Sequence, residues 1–244
     1  MEIVEDPLDL TASSIFTDVQ TFEFGDLGSS AWTSDSFSGS HKRQISNGVL
    51  QFQITQGHDE GGIDIGLHDT NSPARAVSEM SGSTAFCSSY DIDLRGEGRW
   101  WAGPKISVNW QGDESAKQNG DDWYENYIVE IASSTPDELD TIFTGDYFKA
   151  EVLPETIIEG ARYKHYKIRF HDWWQFWSVR QDYRETGTVP ITLILEVWKA
   201  NGLPENRLLD GIKANIETYG DITGTGKMKI AVTSDSGPPL DCSL

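Results

Sequence analysis

The chain has 244 residues and carries 39 acidic against 19 basic side chains, a formal charge of −20. A surface so acidic repels nucleic-acid phosphates and anionic membranes, so neither is expected as a partner, and no apolar run approaches the roughly 20 residues that span a bilayer. All-β sandwiches reach this length as one unit, and a single domain over residues 1–244 is expected, as a monomer. No charged-then-apolar leader opens the chain; the protein is expected to be secreted, and if it is exported its signal peptide has been removed. Nine Trp against three Met make the apolar mass rigid and flat-faced, a surface on which sugar rings stack.

Residues 1–40 are rich in Ser, Asp, Gly and Thr with scattered aromatics (Phe22, Phe24, Trp32, Phe37), which predicts an irregular opening segment with a short edge strand. After the Asn47-Gly48 turn signal, Val49 to Thr55 alternates apolar and polar residues. The same period of two recurs in Ile63–Ile65, Ala85–Leu94, Lys105–Trp110, Trp123–Ile131, Arg162–Phe170, Gln175–Gln181 and Lys227–Thr233. Stretches 111–122 and 218–226 have loop composition. One helix is predicted, Leu193 to Asn201, with Ile194, Val197 and Trp198 at helical spacing and Gly202 as its stop. Many short strands with one late helix predict an all-β fold: a jelly roll of two packed antiparallel sheets with a concave cleft.

Metal and nucleophile chemistry find little support. His41, His58, His68, His165 and His171 lack the close pairing of zinc sites, and the acidic turn His58-Asp59-Glu60 with Asp64 is more often solvated than calcium-binding. There is no Gly-x-Ser-x-Gly elbow, and the glycines from Gly220 to Gly226 precede a strand instead of opening a helix. No cofactor and no metal are expected. Cys87 and Cys242 are the two cysteines; a bridge between them would pin the C-terminal end, and the sequence leaves it open.

Alternation in Trp123–Glu130 puts Glu125, Tyr127 and Val129 on one face and Tyr124, Asn126, Ile128 and Glu130 on the other. In Gln175–Gln181 it groups Gln175, Trp177 and Val179, and in Asn215–Tyr219 it groups Glu217 with Tyr219. Each segment thus offers a polar group beside a ring. If the segments converge, two carboxyl groups would flank a bound sugar, the arrangement that glycoside cleavage needs.

Phe176-Trp177-Ser178-Val179-Arg180-Gln181, with Arg184 and Thr186-Gly187-Thr188-Val189 after it, resembles the YWSVRQ strand and its sequel in the xylanases of glycoside hydrolase family 11. Glu125 to Glu130 resembles that family's EYYIVE strand, and Ile216-Glu217-Thr218-Tyr219 its TEGY segment. Val197–Leu203 and Arg162–Tyr166 also have counterparts, all in the family's chain order over residues 123–233. The resemblance implies a retaining, endo-acting glycosidase of β-linked polysaccharide, xylan or another β-glycan. Glu125 would be the nucleophile and Glu217 the acid/base, with Tyr127, Arg169, Gln175, Trp177 and Tyr219 holding sugar or tuning the carboxylates. Two departures stand out: the family's thumb hairpin is missing between Arg169 and Gln175, and the stretch from Ile131 to Glu159 is longer. An open cleft would follow.

The resemblance also implies a protonated Glu217 held by repulsion from Glu125 and by partial desolvation. Two alternatives stand beside the hydrolase: a noncatalytic carbohydrate-binding jelly roll, which needs the rings but not paired carboxylates, and a polysaccharide lyase, against which the acidic surface weighs.

Overall fold

The computed structural model describes the backbone of residues 16–22, 25–33, 38–46, 49–58, 61–68, 77, 85–109, 123–171, 173–189, 191–233 and 244, and the side chains of 49–54, 61–63, 77, 87–108, 124–171, 173–189, 191–207, 211–229 and 244. The first strands are β1 (Phe16–Phe22), β2 (Gly25–Thr33), β3 (Ser38–Ser46), β4 (Val49–His58), β5 (Gly61–His68), β6 (Ala85–Arg95) and β7 (Arg99–Asn109). Next come β8 (Trp123–Val129), β9 (Ile131–Ala132), α1 (Pro136–Thr144), β10 (Glu151–Ile158), β11 (Ala161–Phe170) and β12 (Trp173–Arg180). The chain then runs through β13 (Thr186–Val189), α2 (Ile191–Ala200), β14 (Leu208–Tyr219) and β15 (Ile222–Thr233).

A 10-stranded sheet runs in the order β1-β2-β5-β14-β7-β8-β12-β11-β10, with β9 paired to β7, and a 5-stranded sheet runs β13-β6-β15-β4-β3. All pairings are antiparallel except β8 with β12. The inner face of the large sheet packs on the small one through a shared core that includes Leu50, Phe52, Tyr90 and Met228 from the small sheet and Trp100, Ile106, Tyr124, Phe176 and Ile216 from the large. This is the all-β jelly-roll sandwich that the alternation predicts.

The described parts of the opening segment, residues 16–22, 25–33 and 38–40, are more regular than its composition suggests, and the rest of it lies outside the described residues. β1 and β2 extend the large sheet and β3 begins the edge of the small one. Backbone pairing from β5 and β4 imposes strand structure there that local propensity does not signal.

The late helix forms as expected over Ile191–Ala200, with Ile194 and Trp198 fully buried. Gly202, at φ 103°, ends it. The Leu203 N–H donates to the Trp198 carbonyl at 2.9 Å and the Gly202 N–H to that of Lys199 at 3.1 Å, which satisfies two orphan carbonyls at the helix end.

A second helix, α1, was not expected. It starts on a capping box: the Glu138 N–H donates to Thr135 Oγ1, the Thr135 N–H donates back to Glu138 Oε2 at 2.7 Å, and Pro136 stands just inside. The stretch from Ile131 to Glu159 is therefore β9, α1 and β10 instead of a long loop.

Between β11 and β12 the predicted absence of a thumb is seen as a tight turn in which Phe170 pairs with Trp173. His171 there adopts φ 49°, a left-handed conformation that His tolerates in such turns. The segment predicted as a loop after Thr218 is also a short turn, with β15 starting at Ile222. Cys87 is disulfide-bonded; Cys242, the only other cysteine of the sequence, and the turn His58-Asp59-Glu60 beyond its first backbone unit lie outside the described residues. Among the described residues no helix is long and apolar enough to cross a membrane, and no group of His, Cys, Asp and Glu is placed to hold a metal.

Candidate active site

The site lies on the outer face of the large sheet, turned away from the small one. Strand alternation sends Tyr124, Asn126 and Ile128 of β8 inward, so Glu125, Tyr127 and Val129 point outward. On β12 the same rule sends Gln175, Trp177 and Val179 outward, and the parallel register sets Gln175 beside Glu125 and Trp177 beside Tyr127. β7 lies between β8 and β14, and its outward residues include Trp101 and Lys105; β14 contributes Glu217 and Tyr219.

Glu125 and Glu217 meet on this face through one cation. Lys105 Nζ lies 3.3 Å from Glu125 Oε1 and 3.4 Å from Glu217 Oε1. Those two contacts cap the separation of the two oxygens at about 7 Å, which admits the ~5–5.5 Å carboxyl spacing of retaining glycosidases and lies at the short end of the inverting range. The Tyr127 hydroxyl donates to Glu125 Oε2 at 3.2 Å and the Tyr219 hydroxyl to Glu217 Oε2 at 3.0 Å. The Lys105 ammonium also lies 5.0 Å from the centre of the Tyr127 ring.

The two carboxyl groups sit in different surroundings. Glu125 keeps 21% of its side chain exposed, whereas Glu217 keeps 2%. Burial pushes Glu217 above the ordinary carboxylate range; Lys105 opposes this, Glu125 adds to it by repulsion, and hydrogen bonds from Tyr127 and Tyr219 again oppose it. The direction is the one expected for a proton donor, with desolvation ahead of repulsion as its cause. The Tyr127 hydroxyl is itself held far above the usual phenol range by burial and by both glutamates.

Of the residues singled out in the sequence, the structure brings together Glu125, Glu217, Tyr127, Gln175 and Tyr219. Trp177 is on the same face, but it is no sugar platform here: its ring is 1% exposed, stacked at 4.1 Å on Tyr127 and capped by Phe143 at 4.9 Å. Tyr127 is buried in the same stack, so its ring too is closed to sugar while its hydroxyl serves Glu125. The cause is α1, which lays Leu139 and Phe143 over Trp101, Tyr127, Tyr166, Ile168 and Trp177 as a second apolar core. The Trp177 indole N–H donates to Gln175 Oε1 at 3.0 Å and fixes that amide beside Glu125.

Arg169 does not join the site. The tight turn pairs it with Trp174, whose side chain packs toward the inner core, so Arg169 lies on the face opposite Gln175, its guanidinium 5.1 Å from the Trp174 ring. Lys105 is the residue that the sequence reading missed. The sequence shows it only as a polar position opening the predicted strand Lys105–Trp110, and the pairing of β7 with both β8 and β14 puts it between the glutamates.

Glu130, which directly follows β8, belongs to a structural network: Tyr163 donates to it at 2.9 Å, Arg184 pairs with it, and Arg180 donates to the Tyr163 hydroxyl at 3.2 Å.

No protein-family model and no curated protein matches the chain. Solved structures do resemble it. The family 11 xylanase from Neocallimastix patriciarum superposes with a TM-score of 0.59 at 14% identity, covering 91% of this chain and 100% of that one. A mutant of the ENZbleach xylanase gives a TM-score of 0.64 at 18% identity, covering 99% of this chain and 95% of that one. At such identities the likeness is one of fold, and the chain has the β-jelly-roll architecture of the family 11 xylanases.

Proposed function

We propose that the protein is a retaining glycoside hydrolase acting on a β-linked polysaccharide, with Glu125 as nucleophile and Glu217 as acid/base. The observation that carries this reading is the meeting of the two glutamates, from β8 and β14, on one sheet face and on one lysine. In the first step a Glu125 oxygen bonds to the anomeric carbon as the glycosidic C–O bond breaks, and the Glu217 proton passes to the departing oxygen. In the second, water attacks the same carbon, Glu125 is released, and Glu217 takes the water's proton. Burial of Glu217 supports its role as the group that starts protonated. Gln175 and Tyr219 hold the carboxylates or the sugar. The xylanase fold favours a xylan-like or other β-glycan substrate; secreted action and a monomer belong to the same proposal.

The near-complete enclosure of Glu217 favours a second reading, a noncatalytic carbohydrate-binding module, although the enclosed Trp177 ring counts against sugar stacking at that position. Incubation with a panel of β-glycans decides between them. New reducing ends, lost in Glu125→Gln and in Glu217→Gln, support the hydrolase; retention on a polymer without products supports the binder; full activity in either variant ends the assignment of that glutamate.

A further inference from the structure

Lys105 is a lysine that the sheet holds 6% exposed, and a buried ammonium is costly unless charged partners compensate it. Two partners do so here, from strands on either side of its own: Glu125 on β8 and Glu217 on β14. Among the described residues, the Tyr127 and Tyr219 hydroxyls also face this cluster, Gln175 and Asn215 share its sheet face, Lys213 is the register partner of Lys105 on β14, and Asp64 of β5 is that of Asn215. Opposite Glu217 on β5 stands Gly62, which brings no charge.

Consider the charges through the reaction proposed above, on which this inference rests. Before attack Glu125 is ionised and Glu217 protonated, and with Lys105 the trio sums to zero. In the glycosyl-enzyme Glu125 is an ester and Glu217 is ionised, and the trio again sums to zero. The negative charge thus moves from Glu125 to Glu217 during the cycle, and a cation within hydrogen-bonding reach of both carboxylates can follow it without moving its backbone.

We propose that Lys105 is a shared counter-cation and positioning residue, paired with Glu125 while that carboxylate is the nucleophile and with Glu217 while that carboxylate is the base. The step from one pairing to the other needs only a small swing of a flexible side chain already 3.3 and 3.4 Å from the two oxygens. It also sets the orientation of both carboxylates before the sugar arrives.

The test uses the full chain and a β-glycan that the wild type cleaves. Lys105→Met, with folding checked by circular dichroism, is expected to lose on the order of 100-fold in kcat, as does removal of one preorganised charge donor elsewhere. Both glycosyl transfer to Glu125 and its hydrolysis, separated by single-turnover rates, should slow. The basic limb of its pH profile should move to higher pH, because the group that opposes protonation of Glu217 is gone. Lys105→Arg should recover most of the rate and return the limb. If Lys105→Met does not fold, Lys105→Gln, which keeps hydrogen bonds without the charge, carries the same comparison. An active wild type with an unmoved pH profile and rate in the charge-free variant overturns the counter-cation and leaves the hydrolase standing. A wild type that cleaves nothing removes both.

Discussion

The ring of Phe143 sits 4.9 Å from that of Trp177, tilted by 48°. A helix therefore covers the aromatic floor beside Glu125, where the sequence reading expects an open cleft. The same Phe143 meets Tyr166 at 5.1 Å and Trp101 at 6.4 Å, so one side chain ties α1 to three strands of the sheet.

Truncating that side chain should be expensive. Phe143→Ala is expected to cost about 3–5 kcal/mol of stability, the range for deleting a buried ring. Removing the cap with Thr135→Ala should cost only about 1 kcal/mol. Denaturant unfolding measures both, and a Phe143→Ala loss no larger than that of Thr135→Ala would show that α1 does not hold the floor.

Tyr219 donates to Glu217 and so works against its protonation. Tyr219→Phe removes that bond, and the basic limb of activity is expected to move toward higher pH, by less than in the lysine variants because a neutral donor is lost instead of a charge. The limb is read from kcat/KM against pH; a move to lower pH would reverse the assignment of Glu217 as the proton donor.

Arg169, on the opposite sheet face from Gln175, is expected to be dispensable for the chemistry. Arg169→Ala should keep kcat/KM within about 3-fold, as for residues remote from a transition state. A 100-fold loss would mean that the turn at His171 rearranges when substrate binds.

His165 is fully buried between Ser178 Oγ at 2.8 Å and Thr156 Oγ1 at 2.7 Å, and burial pushes its pKa down to about 4. Below its ordinary pKa the unfolded chain binds a proton that the folded chain refuses, so this residue's stability contribution is present at neutral pH and is lost as pH falls toward 4. The loss is on the order of 3 kcal/mol across that window. His165→Gln should flatten the decline in unfolding free energy between pH 7 and pH 4.5; an unchanged decline would place the titration elsewhere.

Much of the site could be read from alternation alone. Period two in β8, β12 and β14 assigns Glu125, Gln175 and Glu217 to their faces, because each strand is half core and half outer surface. What alternation cannot supply is which strands are neighbours. Lys105 stays invisible as a site residue until β7 is known to separate β8 from β14. The face of Arg169 depends on the length of the turn that follows it, and carrying a role over from the xylanase resemblance ignores that the shortened hairpin resets the register. For α1 the information is present, since Thr135, Pro136 and Glu138 spell a helix start, but only Leu139 and Phe143 are buried, a sparser apolar stripe than that of α2, so periodicity does not announce it.

Because β8 and β12 run side by side in the same direction, the chain leaving Val129 must travel back along the molecule before it can form the strand carrying Gln175 and Trp177. That return journey is where α1 is threaded, between Ile131 and Glu151. The roof over the rings is thus written in a connector that contributes neither glutamate and joins the sheet ladders beneath them only through the short pairing of β9 with β7. Access to the carboxylates is therefore set by a segment separate from the strands that carry them, provided that Leu139 and Phe143 keep their places in the core.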